Sequence, residues 1–151
     1  MERRRTLGSE AESMMNEDFE LVATANITEE TKAVEIQLSK ACTELYLFCE
    51  NLKSTANSQL IIKLGKLATL TGINAEISQN GQNTIQHIKK VGKTWIRTGN
   101  NHGTYGLNIG SANMYRLMMI SDKTPESVSA LTLCLQNDFR FTSGTIEIYG
   151  R

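Results

Sequence analysis

Apolar and polar residues alternate along several short stretches of this chain. The stretches 34–38, 131–135 and 146–149 each place an apolar residue at every second position. Successive side chains of a β-strand point to opposite faces of its sheet, so this period of two predicts strands with one face toward a core. No convincing helical periodicity follows Asp18.

Three further stretches are apolar at nearly every position. They are 45–49, 60–62 and 115–120, the last interrupted by Arg116. A strand that is covered on both faces has this composition. A sandwich covers only one face of each sheet, so the other face of 45–49 and of 115–120 needs a loop, an N-terminal helix or a second copy of the chain.

Turn-forming residues separate these segments. Asn80-Gly81 favours the positive φ angles of a two-residue turn and predicts a hairpin between strands near Ile77 and Ile85. The single proline, Pro125, lies in a polar loop. Nine or ten short strands, spaced by about ten residues, predict one all-β sandwich or barrel over 19–151.

Residues 1–18 differ from the rest of the chain. Arg3, Arg4 and Arg5 form a basic cluster, and Ser9 with Glu12 fits a capping box. We predict an N-terminal arm that contains a helix of two turns. Because so short a helix is marginal in water, it would fray or dock on a partner.

Composition narrows the range of partners. The 16 basic and 16 acidic side chains cancel, which disfavours binding to nucleic acid or to an anionic membrane surface. No apolar stretch follows the charged start as in a signal peptide, and none is long enough to span a bilayer. The three cysteines lie in apolar stretches, which predicts buried thiols in a reducing compartment.

Residues with catalytic potential do not form a recognisable motif. The two histidines, His87 and His102, have no cysteine or acidic neighbour at metal-ligand spacing. The triplet 92–94 resembles the end of a phosphate-binding loop, but the glycine that this motif needs is replaced by His87, and a strand follows instead of a helix. We therefore expect no catalysis, no cofactor and no metal.

A glycine- and asparagine-rich stretch, 99–110, is a loop by composition. Aromatic rings and amides suit sugar binding, through stacking and through hydrogen bonds to hydroxyls. The residues that would form such a site are Trp95, Asn100, Asn101, His102 and Tyr105. The alternatives are that Trp95 is a core residue and the loop only connects strands, or that the loop contacts another copy of the chain.

The end of the sequence resembles a known group of proteins. The residues that carry the resemblance are Phe139-Arg140-Phe141-Thr142-Ser143-Gly144-Thr145-Ile146-Glu147-Ile148-Tyr149-Gly150. This segment is similar to the close of small β-sandwich proteins and terminal domains from bacteriophage particles, and the arginine-rich start fits the same group. The resemblance implies a jelly-roll module of a tail, fibre or other appendage, which forms oligomers, often trimers, and in some members binds host-surface carbohydrate.

Within that segment, Gly144 allows a close approach or a β-bulge before the last strand, and Ile146 and Ile148 should face the core. Phe48, Met114 and Met118 are candidates for a symmetric contact between copies. The leading hypothesis is a non-enzymatic virion protein, assembled in the bacterial cytoplasm with other virion proteins. The alternative is a carbohydrate-binding module of a bacterial protein.

Overall fold

The structure is a computed structural model that describes residues 18–64, 68–70, 76–103, 113–118 and 125–151, without the side chains of 68–70, 100–103 and 113–118. The N-terminal helix predicted within 1–18 and the cluster Arg3, Arg4 and Arg5 lie outside the described residues.

The described residues form β-strands and one short 3-10 turn at Gln136–Asp138. The strands, in chain order, are β1 (Glu20–Ile27), β2 (Ala33–Cys42), β3 (Glu44–Ser54), β4 (Ser58–Leu64), β5 (Ala68–Leu70), β6 (Glu76–Ile77), β7 (Gln82–Val91), β8 (Thr94–Gly103), β9 (Asn113–Met118), β10 (Val128–Leu135) and β11 (Phe141–Gly150).

These strands build two antiparallel sheets. The larger has six strands in the order β1-β11-β3-β7-β8-β9. The smaller has the order β2-β10-β4-β5, and β6 pairs with the first two residues of β4, Ser58 and Gln59. The prediction of an all-β structure with two sheets is confirmed. Among the described residues no helix is long and apolar enough to cross a membrane.

One hydrophobic core lies between the sheets. It is formed by the residues that the alternating pattern assigned to one strand face, including Ile36, Leu133, Ile146 and Ile148. The stretch 45–49 contributes to both faces of its sheet, as predicted: Leu45, Leu47 and Cys49 belong to the core, whereas Tyr46 and Phe48 lie on the opposite face.

A polar network crosses this core. Arg97 on β8 is fully buried; its Nε donates to Gln86 Oε1 at 2.8 Å and its Nη1 donates to the carbonyl oxygen of Leu60, on the smaller sheet, at 3.0 Å. Gln86 Nε2 in turn donates to Thr84 Oγ1 at 2.6 Å. Since buried polar groups need partners, the network fixes the two sheets relative to each other.

Two local predictions differ from the structure. The Asn80-Gly81 turn is present, but β6 pairs with β4 and β7 pairs with β3 and β8, so the predicted hairpin is wrong. The tight hairpin instead joins β7 to β8 through Gly92, whose φ of 64° suits the first central position of a two-residue turn.

The predicted loop 99–110 is the second difference. Its first five residues belong to β8, where they pair with β7 on one side and partly with β9 on the other. Strand pairing on both sides supplies hydrogen bonds that local composition does not reveal, so tertiary context overrides the glycine and asparagine content.

Candidate functional site

The outer face of the six-stranded sheet, the face turned away from the smaller sheet, is divided into two parts. Strand register aligns its side chains in rows across β1, β11, β3 and β7. One row contains Asn26, Thr145 and Glu50. The next contains Thr24, Glu147, Phe48 and Ile85, and the one after it contains Leu21, Tyr149, Tyr46 and His87. The face therefore changes from polar to aromatic along the strands.

The aromatic part is a compact cluster. We call Phe19, Tyr46, Phe48, Ile85 and Tyr149 the aromatic cluster. The Phe48 and Tyr149 rings meet edge to face with centroids 5.7 Å apart, and Phe19 meets Tyr46 in the same manner at 5.3 Å. Phe48 is 3% exposed and Tyr149 is 2% exposed. This second hydrophobic cluster is separate from the core between the sheets.

An ion-pair cluster borders the aromatic cluster. His87 Nε2 lies 2.7 Å from Glu44 Oε2, and Arg151 Nε donates to Glu44 Oε1 at 3.0 Å. Arg151 also pairs with Asp18 at 3.1 Å and lies over the Phe19 ring, 4.8 Å from its centroid. These contacts connect the residues before β1 and after β11 to strands β3 and β7.

The carboxyl of Glu44 is largely buried in this arrangement. Burial by itself would raise its pKa, but the hydrogen bonds and charges of His87 and Arg151 outweigh the burial, so the pKa of Glu44 is lowered. Glu44 is therefore the ionised centre of the cluster. The prediction that His87 lacks an acidic neighbour holds only along the sequence, because Glu44 reaches it from the adjacent strand.

The polar part of the outer face is an open groove of about 740 Å³. We call it the polar groove. Its lining residues are Asn26, Ile27, Thr28, Glu50, Asn51, Asn83, Ser143, Gly144 and Thr145. Amides, hydroxyls and one carboxylate therefore dominate its surface, and the described lining carries no positive charge.

Backbone irregularities in two adjacent strands shape this groove. Pairing of β11 with β3 shifts register on both sides of Ser143, and pairing of β3 with β7 shifts between Cys49 and Leu52. Asn51 adopts a φ of 51°, and its backbone N–H donates to Asn83 Oδ1 at 2.8 Å. Bulges of this kind redirect side chains and occur frequently next to functional sites.

Gly144 makes the irregularity in β11 possible. Its φ is 141°, and a Cβ atom there would lie 2.7 Å from Leu52 Cδ1 and 2.9 Å from Leu52 Cα. Only glycine fits both the backbone conformation and the space. The predicted close approach at Gly144 is confirmed, but it lies within β11 and not before the last strand, and it forms part of the groove.

The structure describes only part of the set of residues proposed from sequence for sugar binding. Trp95 is fully buried in the core, and its Nε1 donates to the carbonyl oxygen of Pro125 at 3.0 Å, so its ring face is not available for stacking. Asn100, Asn101 and His102 lie on β8, where His102 pairs with Asn83 of the polar groove, but their side chains are outside the described part. Tyr105 lies outside it altogether.

The proposed oligomer contacts have different positions. Phe48 belongs to the aromatic cluster and is almost completely buried within one chain. Met114 and Met118 are on β9, beyond β8 in the same sheet, and their side chains are not among those described. The structure therefore places Phe48 at the centre of the outer face and Met114 and Met118 on a strand next to β8.

The groove and the ion-pair cluster were missed by sequence reasoning. Their members come from strands that are distant in sequence, as in the pairs Glu44 with His87 and Asn51 with Asn83. The only residue in the sequence that pointed to the groove was Gly144, through its predicted close approach or bulge. Among the described residues no group of three or more His, Cys, Asp or Glu side chains could hold a metal ion.

Comparisons with protein-family models, with curated proteins and with solved structures found no significant match. The resemblance of residues 139–150 to bacteriophage proteins therefore stays a prediction from that segment.

Proposed function

We propose that this chain is a non-enzymatic structural or appendage protein of a bacteriophage particle, a jelly-roll module that forms a homo-oligomer and serves in assembly or in attachment to the host surface. It would act with other virion proteins and would bind neither nucleic acid nor membrane. The observation that carries the proposal is the closing segment 139–150, which resembles the close of bacteriophage β-sandwich proteins and contains β11, the strand between β1 and β3.

The order of the strands supports the jelly-roll assignment. With β6, β8 and β9 set aside, the sheets reduce to β1-β11-β3-β7 and β2-β10-β4-β5. Two four-stranded sheets, between which the chain repeatedly crosses, are the arrangement of an eight-stranded jelly roll with two Greek keys. The β8–β9 hairpin is then an insertion that widens one sheet.

The outer face of the six-stranded sheet supports a role through surface binding. A sandwich with one solvated face per sheet needs no hydrophobic cluster outside its core, whereas this sheet carries one beside a polar groove. The groove is the accessible part of this face, and a concave polar surface is suited to contact with another molecule.

Light scattering coupled to size-exclusion chromatography at micromolar concentration tests the oligomeric state. We expect the mass of a trimer or of another closed oligomer of the 16.8 kDa chain. A strict monomer would contradict the oligomer.

Mass spectrometry of purified phage particles tests the location. We expect this chain to co-purify with the capsid and tail proteins in a fixed ratio. Its absence from intact particles would contradict a virion role.

The second candidate is a carbohydrate-binding module of a bacterial protein, and the polar groove is the observation that favours it. Such a module would be monomeric and absent from phage particles, so the same two measurements separate the candidates.

A further inference from the structure

We infer that the polar groove is a binding site for a neutral oligosaccharide. The inference rests on the proposed role in surface attachment and names the ligand class and the residues. The site it names lies on the face of β1, β11, β3 and β7 and contains none of the residues that the sequence suggested for sugar binding.

The chemistry of the groove suits this ligand, which would be bound by hydrogen bonds and not by stacking on an aromatic ring. The amides of Asn26 and Asn51 both donate and accept hydrogen bonds, as do the hydroxyls of Thr28 and Ser143, and Glu50 is a strong acceptor. Each sugar hydroxyl both donates and accepts hydrogen bonds, so a sugar site needs donors and acceptors close together. The described lining offers no cation for an anionic ligand and only one carboxylate for a metal ion.

The shape of the groove agrees with the same ligand class. Small-molecule sites are concave, with volumes of about 300–1,000 Å³, and the volume of about 740 Å³ lies in that range. The groove is open, so it can accept a stretch of a longer glycan as well as a chain end. Asn26, Thr28, Glu50 and Asn51 are exposed to solvent and are therefore accessible.

The groove is also held rigidly. Its residues lie on or directly beside paired strands, and the N–H of Asn51 is fixed by Asn83. The left-handed conformation of Asn51 and the bulge at Gly144 are retained although they are unfavourable for most residues. A groove whose backbone is fixed in this way needs no rearrangement of its main chain when it binds a polyhydroxyl ligand.

Saturation-transfer NMR and isothermal titration calorimetry on the full chain test the inference. The probes are glucose, galactose, N-acetylglucosamine and their linear oligomers at millimolar concentration. We expect at least one to bind, and Asn26→Ala and Glu50→Gln each to weaken binding by about tenfold, the effect of removing one hydrogen bond to a ligand or its charge. Gln37→Ala is the matched control, because Gln37 is an exposed strand residue on the outer face of the smaller sheet.

The results also separate this inference from the proposed function. If no probe binds, or if binding is unchanged in both groove variants, the inference is wrong even when the chain is oligomeric and present in particles. If the groove variants change the oligomeric mass instead, the groove is a contact between copies, and the saccharide site is again excluded. Saccharide binding by a strict monomer would contradict only the oligomeric virion role.

Discussion

The two outer faces of the sandwich are built in different ways. On the smaller sheet the residues that point outward from β2 and β10 include Glu35, Gln37 and Thr132, which are exposed or half-buried. On the six-stranded sheet the outward positions of β3 and β11 include Phe48 and Tyr149, which are nearly as buried as core residues. One face meets water, whereas the other has its own hydrophobic cluster.

The buried residues of this outer face lie apart from the core between the sheets. The core between the sheets already contains more than twenty buried apolar residues, and the aromatic cluster makes no part of it. The cluster and the ion-pair cluster together fix the segment around Asp18 and Phe19 against β3 and β7. The two clusters therefore pack one part of the outer face of the larger sheet, next to the polar groove.

The largest effect should come from removing the centre of the aromatic cluster. Phe48→Ala leaves a cavity among rings 5.7 and 6.3 Å away, and we expect a loss of about 3 kcal/mol in the free energy of unfolding. Thr132→Ala on the outer face of β10 is the control, with an expected change within about 0.5 kcal/mol. Urea denaturation at matched protein concentration measures both, and equal effects would mean that the two faces do not differ energetically.

Gly144→Ala should have the next largest effect. The added Cβ meets the backbone of Leu52 at 2.9 Å in a conformation that alanine rarely adopts, so we expect a loss of about 2–3 kcal/mol. Gly92→Ala is the matched glycine: its φ is also positive, at 64°, but nothing lies within 4 Å of its Cβ position. Its loss should be only about 1 kcal/mol. Similar melting temperatures for the two variants would contradict the close packing at the bulge.

Glu44 should make the larger sheet sensitive to acid. Its folded-state pKa is lowered from the ordinary value of 4.5. Its contribution to the free energy of unfolding is therefore fully present above that value and is lost as the pH falls through the folded-state pKa. The titratable and charged groups that face it are His87 and Arg151, with Lys89 opposite on β7.

Glu44→Gln should therefore lower stability by about 1–2 kcal/mol at neutral pH and flatten the acid limb of the stability curve. Glu35→Gln, an exposed carboxylate on the smaller sheet, should change neither. Thermal unfolding from neutral pH down to about pH 3 measures this difference, and parallel curves for wild type and Glu44→Gln would refute it.

The smallest perturbation is chemical modification of the cysteines. Cys134 is half-buried on the outer face of the smaller sheet, whereas Cys42 and Cys49 are buried. Burial raises the pKa of Cys49 to about 12, although Arg97 partly opposes this, and burial also raises the pKa of Cys42. A thiol reagent should modify Cys134 in the folded protein and the other two only after unfolding. Fast modification of all three would contradict the structure.

Hydrophobic alternation was sufficient to predict most strands and the inward positions of Ile36, Leu133, Ile146 and Ile148, because period two depends only on local sequence. Pairing was not predictable in the same way. Residues 99–103 look like a loop and form a strand because β7 and β9 flank them. The candidate site was still harder to predict from the sequence, since the groove that contains Asn26, Asn51 and Asn83 exists only after four strands are in register.

The positions of β10 and β11 have a consequence for how the chain acquires its structure. β11 joins β1 to β3, and β10 joins β2 to β4, so neither sheet is continuous until these late strands insert between earlier ones. Pairs such as Glu20 with Gly150 are among the most distant contacts in the chain. Folding dominated by such contacts is slow, and the unpaired edges of β1 to β4 stay open to other chains during synthesis. Newly made chains should therefore depend on chaperones or on rapid assembly until β11 is in place.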